Sequence, residues 1–118
     1  MPKYLFLLFL FMTFPTRADV PPEQVKEVEH LLNFVKDSNC TINRNGSDYN
    51  GEKGFSHINR KYNYFRDDIK NTEDFIKYSA TKSTMSGDFY TVSCPGKKTV
   101  QTKDWLLNEL VRFRSTQK

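Results

Sequence analysis

Apolar residues recur at helical spacing in several stretches of the chain, and each stretch predicts a helix. From Glu23 to Lys36 they step by three and four and so lie on one face. A longer stretch of the same kind runs from about Glu52 to Ile69. Asn71 and Thr102 stand where the caps of a third and a fourth helix are expected. The apolar face of the second helix consists of Phe55, Ile58, Tyr62, Phe65 and Ile69.

A two-residue turn signal predicts a β-hairpin after the first helix. Asn45-Gly46 is the strongest signal of this kind, because both residue types tolerate positive φ. It would join a strand at Cys40–Arg44 to a returning strand that brings Tyr49 near Ile42.

A second hairpin is predicted around Pro95-Gly96, between strands at Phe89–Cys94 and Lys98–Gln101. The order of elements is then helix, hairpin, two helices, hairpin, helix. This order favours an α+β fold, in which four helices pack on an antiparallel sheet made from the two hairpins. We expect a single domain at residues 19–118, because this length leaves no room for a second core.

Residues 1–18 have the layout of a secretory signal peptide. Lys3 precedes an apolar run, Tyr4–Phe14, and small residues precede Asp19, so cleavage is expected after Ala18. The run is too short to cross a bilayer, which takes ~20 apolar residues, and the chain has no later run of that length. We therefore expect an exported protein, periplasmic or secreted, with no membrane span after cleavage.

The cysteines suit an oxidising compartment. The chain has two, Cys40 and Cys94, and an isolated pair in an exported protein is expected to form a disulfide. Such a bridge would stabilise the fold by roughly 4 kcal/mol. A redox pair would need the Cys-x-x-Cys spacing, which the chain lacks, and a catalytic thiol would need His30 or His57 beside it.

Metal and cofactor sites are not predicted. His30 and His57 fall on different helices, and neither has a second ligand at a spacing such as His-x-x-x-His. His30 lies off the apolar face of its helix and is expected to be exposed. The chain has no glycine loop for phosphates, no Gly-x-Ser-x-Gly and no dinucleotide fingerprint, so we expect no cofactor.

Part of the positive charge of the chain lies in the predicted signal peptide, which we call the leader. The chain has 18 Lys and Arg against 14 Asp and Glu, a net charge of +4, and Lys3 and Arg17 carry two of the positive charges. The other basic residues are spread among acidic ones instead of forming a patch. This pattern does not indicate a nucleic-acid partner.

The polar face of the second helix is one candidate contact surface. His57, Lys61, Tyr64 and Asp68 are spaced four, three and four, and so form a stripe opposite the apolar face. These side chains could act as acid–base groups or contact a partner, although an ordinary solvated helix face has the same spacing. Because a convex helix face does not provide the cleft that catalysis needs, we do not predict an enzyme.

The segment Ser86-Gly87-Asp88-Phe89-Tyr90 is the second candidate. A Ser-Gly pair ahead of an aromatic strand predicts a projecting loop, and loops often carry function. A turn that merely starts a strand has the same sequence. The segment also resembles the Ser-Gly-x-x-Tyr signature of bacterial periplasmic lysozyme inhibitors, which insert such a loop into the catalytic cleft of the enzyme. That resemblance implies polar contacts by Ser86 and Tyr90.

A further resemblance covers nearly the whole chain after the leader. The residues that carry it, in order, are Glu29-His30-Leu31-Leu32, Phe34-Val35, Ser38, Cys40, Arg44-Asn45-Gly46, Tyr49, His57, Lys61-Tyr62, Thr72-Glu73-Asp74-Phe75-Ile76, Ser86-Gly87, Tyr90, Val92, Cys94-Pro95 and Trp105-Leu106. This pattern resembles the YfeK-like family of small exported bacterial proteins, a domain of unknown function. The resemblance implies a periplasmic protein with a Cys40–Cys94 bridge, and it implies no activity. This chain has Phe89 where that family often has proline.

These observations predict a non-enzymatic binding or envelope-support module. Its partner would be an unidentified protein of the cell envelope, contacted by the polar stripe and the Ser86–Tyr90 loop. Inhibition of a lysozyme-type glycosidase through that loop is the alternative function.

Overall fold

Four α-helices and four short strands make up the fold of residues 20–118, the part of the chain that the computed structural model describes. The predicted leader, residues 1–18, and its cleavage site lie outside this part. In chain order the elements are α1 (Pro22–Lys36), β1 (Thr41–Arg44), β2 (Ser47–Tyr49), α2 (Gly51–Tyr64), α3 (Thr72–Ser79), β3 (Thr91–Ser93), β4 (Val100–Gln101) and α4 (Thr102–Thr116). A 3-10 turn, Arg66–Asp68, lies between α2 and α3. The predicted α+β class and order of elements are confirmed.

The predicted apolar faces of the helices form the core. The largest fully buried side chains are Phe75, Leu31, Ile42, Ile69, Ile76, Leu106 and Leu110. Burying one side chain of this size stabilises a fold by about 1.5–3 kcal/mol. Ile42 comes from β1, whereas the others come from helices or from the segment after α2, so the core lies between the sheet and the helices.

The four strands form one antiparallel sheet in the order β2-β1-β3-β4. Ile42 of β1 lies opposite Tyr49 of β2 and Val92 of β3, so the predicted approach of Tyr49 to Ile42 is confirmed. The turn between β1 and β2 contains Asn45 with a φ of 52° and Gly46 with a φ of 80°. These two residue types tolerate this left-handed backbone, which is why the hairpin forms here.

The disulfide Cys40–Cys94 fastens the two central strands, as predicted. Cys40 precedes β1 and Cys94 follows β3, and their neighbours Thr41 and Ser93 are paired across the strands. The two Cα atoms are 4.2 Å apart, although 54 positions separate the cysteines in the chain. Because the bridge restricts so long a loop in the unfolded chain, it stabilises the fold by roughly 4 kcal/mol.

The second helix ends earlier than predicted. The prediction extended it to Ile69, but α2 ends at Tyr64 and the 3-10 turn Arg66–Asp68 comes next. A continued helix would place Asp67 and Asp68 at the negative end of the helix dipole, which is unfavourable. Ile69 is nevertheless fully buried, from an extended conformation after the turn.

The strand β3 is shorter than the predicted strand Phe89–Cys94. Phe89 forms an isolated bridge with Lys82, and the N–H of Tyr90 donates to the carbonyl of Thr81 at 3.0 Å. The chain before β3 therefore pairs with the segment after α3, and only Thr91–Ser93 belong to the sheet.

The start of α4 also differs from the prediction. The preceding strand comprises Val100–Gln101 rather than Lys98–Gln101, and Gln101 instead of Thr102 is the residue before the helix. The N–H of Thr102 donates to the carbonyl of Tyr90 at 2.9 Å, which continues the pairing between the two segments. This bond holds Thr102 in the core, where its hydroxyl has no partner within residues 20–118 and caps nothing.

Candidate functional site

The loop that carries Ser86 is closed by its own hydrogen bonds. The N–H of Ser83 donates to the carbonyl of Asp88, and the N–H of Gly87 donates to the carbonyl of Ser83, both at 2.9 Å. The Ser83 hydroxyl accepts from the N–H groups of Met85 and Ser86, both at 3.2 Å. Gly87 has a φ of 79°, which glycine adopts without strain. The loop is therefore a preformed turn.

Ser86 is exposed and held by two hydrogen bonds. Its hydroxyl donates to Oδ1 of Asn45 at 2.7 Å and accepts from the N–H of Asp88 at 3.2 Å. Asn45 belongs to the turn between β1 and β2, so the loop rests against the first hairpin. A partner that binds the Ser86 hydroxyl must share it with Asn45 or displace Asn45.

Tyr90 lies inside the fold instead of on the loop surface, since it is only 3% exposed. Its hydroxyl accepts a hydrogen bond from Nζ of Lys61 at 3.2 Å, and the same ammonium donates to the carbonyl of Lys82 at 2.8 Å. The guanidinium of Arg44 lies 5.7 Å from the centre of the Tyr90 ring. Lys82 and Tyr90 stand on either side of the loop, so Lys61 fastens both ends of the loop to α2.

His57 is half-buried and packs against the first hairpin. Its ring centre lies 4.7 Å from that of Tyr49, and its Nδ1 is buried with no hydrogen-bond partner within the described chain. Burial lowers the pKa of His57 to about 4, and the positive charges of Arg44, Arg60 and Lys53 add to this effect. His57 is therefore neutral at pH 7, and it is not part of a freely solvated helix face.

The other two residues of the predicted stripe lie at the end of α2. Tyr64 is 80% exposed, and its ring packs edge-on against Phe65 with 4.8 Å between centres. Asp68 is exposed but belongs to the 3-10 turn beyond the helix. The structure thus brings Lys61 to Tyr90 and places His57 against Tyr49. The predicted stripe of His57, Lys61, Tyr64 and Asp68 is therefore not continuous.

A cleft of about 590 Å³ lies between α2, α3 and the Ser83–Asp88 loop, and we call it the loop–helix cleft. It contains Lys61 from the predicted polar stripe, and Gly87 and Phe89 from the predicted Ser86–Tyr90 loop. Its aromatic residues are Phe65, Tyr78 and Phe89, and its other charged residues are Lys77 and Lys82. None of the described residues that line it is acidic. The cleft is therefore aromatic and positively charged.

Large apolar side chains near the loop–helix cleft are exposed. Met85, in the loop, is 95% exposed, and Phe89, in the cleft wall, is 47% exposed. Tyr64 lies beside the wall residue Phe65. Exposed aromatic and methionine side chains around a recess are typical of protein contact surfaces.

A second cleft, of about 940 Å³, lies between the end of α1, the β3–β4 connection and the start of α4, and we call it the hairpin cleft. Phe34 and Trp105 form one wall, with 4.7 Å between their ring centres. The Cys40–Cys94 bridge also lines it. The sequence did not predict this site, because its residues come from distant elements and share no spacing pattern.

His30 borders the hairpin cleft and is half-buried, which corrects the expectation that it is exposed. Its ring stacks on Phe113 with 4.0 Å between centres, and its Nε2 lies 2.6 Å from Oε2 of Glu109. Arg112 donates two further hydrogen bonds to Glu109, at 2.9 and 2.7 Å. Hydrogen bonds from Arg112 and then from His30 hold the pKa of Glu109 below its ordinary value, against the effect of burial. Since 79 positions separate His30 from Glu109, local patterning could not reveal this pair.

Residues 20–118 contain neither a metal site nor a membrane-spanning helix. No group of three or more His, Cys, Asp or Glu side chains in this region is arranged to hold a metal ion. None of its helices combines the length and apolar character that a membrane crossing requires.

The fold and its clefts define a small, disulfide-bridged α+β protein with two surface recesses. Residues 22–114 match a sequence family described as "Family of unknown function (DUF5329)". This match covers most of the chain, and the chain belongs to that family.

The chain is also similar to the "Uncharacterized protein YfeK" of Salmonella typhimurium. The two are 31% identical over 82 residues, which cover 69% of this chain and 68% of that protein. The predicted membership of a YfeK-like family is confirmed. No solved structure matches the chain significantly.

Proposed function

We propose that the protein is an exported, non-enzymatic binding or envelope-support module of the bacterial periplasm. Its contact surface is the loop–helix cleft with the exposed side chains around it. The observation that carries this proposal is the contact of Lys61 with Tyr90 and Lys82, at 3.2 and 2.8 Å. Because this contact joins the loop to α2, the surface is formed before a partner arrives, and binding loses little entropy to ordering the loop.

The chemistry of this surface favours an acidic protein partner. Lys77 and Lys82 stand in the cleft with no acidic residue among the described lining residues. Met85, Phe89 and Tyr64 offer apolar surface that a partner can bury. Positive charge would guide the encounter, and the apolar side chains would supply most of the affinity.

Export is supported by the pattern of residues 1–18 and by the Cys40–Cys94 bridge, since such bonds persist in oxidising compartments. Protein recovered from the periplasm should then lack residues 1–18 and should have the mass of the oxidised form. Intact mass spectrometry under non-reducing conditions measures both. A full-length chain, or two free thiols in the periplasmic protein, would contradict export as proposed.

An enzyme is the opposing class of function. A histidine beside a carboxylate with a perturbed pKa would favour it, and such a pair exists at His30 and Glu109. We propose a structural role for this pair, because Arg112 binds both oxygens of Glu109 and Phe113 stacks on the imidazole. Each partner is thus engaged in contacts that fix α4 against α1.

Affinity purification from an envelope extract tests the contact surface. The oxidised protein and two variants are compared, one carrying Tyr64→Ser and Phe89→Ser and the other carrying Val111→Ser. Val111 is 69% exposed on α4 and lies outside the lining of both clefts, so it is a matched control. We expect the first variant to lose a specific partner that the wild type and the control retain. Identical partner lists for all three proteins would remove this surface from consideration.

Inhibition of a lysozyme-type glycosidase is the alternative function of the same loop. The observation that favours it is the closed turn with Ser86 exposed at its surface. Such enzymes work with two carboxyl groups in a cleft, to which a serine hydroxyl can hydrogen-bond. Tyr90 would take part only after release from Lys61, because it is 3% exposed.

A muramidase assay with the purified protein separates this alternative from the main proposal. If the loop inhibits, Ser86→Ala should weaken inhibition by about 1–3 kcal/mol, the usual cost of leaving a buried polar partner unpaired. Ser56→Ala, at an exposed position of α2, serves as the control. Absence of inhibition at micromolar concentration against several lysozyme types would end the alternative.

A further inference from the structure

The hairpin cleft has a chemistry that the proposed contact surface does not use. Its volume of about 940 Å³ lies in the range of small-molecule sites, and it shares no lining residue with the loop–helix cleft. Apolar surface comes from Phe34, Trp105, Val100 and the Cys40–Cys94 bridge. A cleft of this size with several apolar side chains can accommodate a small ligand.

The two lysines that line the hairpin cleft both come from the β3–β4 connection. Lys97 and Lys98 come after the Pro95-Gly96 turn and are exposed, and neither ammonium has a hydrogen bond or ion pair within the described chain. Asp37, at the end of α1, is the one acidic residue among the described residues that line the cleft. An anionic group is therefore attracted to the hairpin side and repelled from the α1 side.

The shape of the apolar wall favours a flexible chain over a flat ring. The rings of Phe34 and Trp105 are inclined by 42°, so they do not offer a pair of parallel faces between which a planar ligand can stack. An acyl chain can follow both rings and the adjoining disulfide. Removing the apolar surface of the chain and of the wall from water in this way favours binding.

We propose that the hairpin cleft binds a single-chain acyl carboxylate. The chain lies against Phe34 and Trp105, and the carboxylate lies between Lys97 and Lys98. A carboxylate at one end of an apolar chain matches a cleft that is lined by Phe34 and Trp105 and by the two exposed lysines. This site is separate from the loop–helix cleft, so neither proposal depends on the other.

Trp105 makes the site directly observable, because it is the only tryptophan of the chain. The exported protein, purified with its disulfide intact, is titrated with dodecanoate below the concentration at which micelles form. We expect a saturable change in tryptophan emission with one ligand per chain. Dodecyltrimethylammonium has the same chain length and the opposite charge, and it should bind at least about tenfold more weakly.

A pair of charge-reversal variants tests the role of the two lysines. Lys97→Glu with Lys98→Glu should weaken dodecanoate binding by about tenfold or more and should strengthen binding of the cationic ligand. Lys53→Glu with Lys70→Glu changes the net charge equally at exposed positions outside both clefts. This control should keep the wild-type affinity within about twofold, since distant surface charges are screened.

Three results would overturn the proposal. They are the absence of a saturable change with dodecanoate, equal affinity for the two oppositely charged ligands, and an equal loss of affinity in the control variant.

Vesicles containing an anionic phospholipid form a further arm of the experiment. If the protein sediments with these vesicles and does not bind free dodecanoate, a membrane surface is its ligand and the acyl carboxylate is excluded.

Discussion

At the scale of single residues, His57 is held in an environment that opposes its protonation. Its Nδ1 is buried without a partner in the described chain, and Arg44, Arg60 and Lys53 add positive charge around it. The pKa of His57 in the folded protein, about 4, is thus lower than the ordinary value of 6.5. Between these two values the unfolded chain binds more protons than the folded one, so stability rises with pH.

We therefore expect the free energy of unfolding to fall as the pH drops from 7 to 5. After allowance for solvent screening of this half-buried group, the loss is about 1 kcal/mol. His57→Gln does not titrate and should remove most of this dependence. Urea unfolding at the two pH values measures it, and the same pH dependence in wild type and variant would contradict this account of His57.

Arg114 connects three helices through two carboxylates. Its Nε lies 2.8 Å from Oε2 of Glu27 in α1, and its Nη1 lies 2.8 Å from Oε2 of Glu73 in α3. The hydrogen bonds to Arg114 hold the pKa values of both carboxyl groups below their ordinary value of 4.5. A carboxylate with a lowered pKa contributes stability above its unfolded pKa, and the contribution is lost on acidification.

Arg114→Met should consequently destabilise the fold at pH 7 by about 1 kcal/mol, the size expected for a partly exposed charge network. The difference from wild type should shrink as the pH falls below the ordinary pKa of the two carboxyl groups. Lys26→Met, at an exposed position of α1, is the control, and denaturant unfolding across this pH range measures all three proteins. A difference from wild type that stays constant down to acid pH would mean that Arg114 acts through packing alone.

At the scale of elements, a glycine lets α2 begin against the end of α1. A Cβ built on Gly51 would lie 2.6 Å from the carbonyl oxygen of Val35 and 2.8 Å from that of Lys36. These atoms belong to the backbone and cannot move aside as a flexible side chain would. The close approach of the two helices thus requires glycine at this position.

Gly51→Ala should destabilise the protein by about 2 kcal/mol, since overpacking of this kind typically costs about 1–3 kcal/mol. Ser56→Ala, at an exposed position of the same helix, should change the free energy of unfolding by less than about 0.5 kcal/mol. Denaturant unfolding of the two variants measures the difference. Equal stabilities would show that α1 and α2 can separate without cost.

Local patterns predicted the elements but not every boundary. The spacing of Ile58 and Tyr62 identified the buried face of α2, and Asn45-Gly46 identified a hairpin and its register. The end of α2 at Tyr64 depends on how Ile69 is buried, which spacing alone does not determine. A helical face is a local property, whereas the end of α2 depends both on the acidic residues Asp67 and Asp68 and on the packing of Ile69 beyond the helix.

The candidate site was predictable only in part, because its key contacts are long-range. The loop at Ser86 has the turn that its Ser-Gly pair indicated. The inward position of Tyr90 depends on Lys61, 29 positions away, and the pair of His30 with Glu109 spans 79 positions. A polar residue next to a loop carries no local signal that it points into the fold.

At the scale of the whole molecule, the disulfide is the main covalent constraint on the described fold. It fastens the central strands β1 and β3, and both hairpins of the sheet depend on that pair. Replacing Cys40 and Cys94 by serine should lower the free energy of unfolding by roughly 4 kcal/mol. Urea unfolding of the variant beside oxidised and reduced wild type measures the loss, and a midpoint equal to that of the oxidised protein would contradict a stabilising role for the bridge.

The loop–helix cleft is the protein contact surface that we propose for the periplasmic protein. The most direct measurement is photo-crosslinking in the native bacterium, with a photoreactive amino acid at Met85 in one protein and at Val111 in another. Both positions are exposed, at 95% and 69%, and Val111 lies outside the lining of both clefts.

We expect one discrete adduct of periplasmic protein crosslinked at Met85, and its loss when Lys82→Glu and Phe89→Ser are added. No such adduct is expected at Val111. The same adducts at both positions, or the absence of any adduct at Met85 in protein shown to be exported, would contradict the claim.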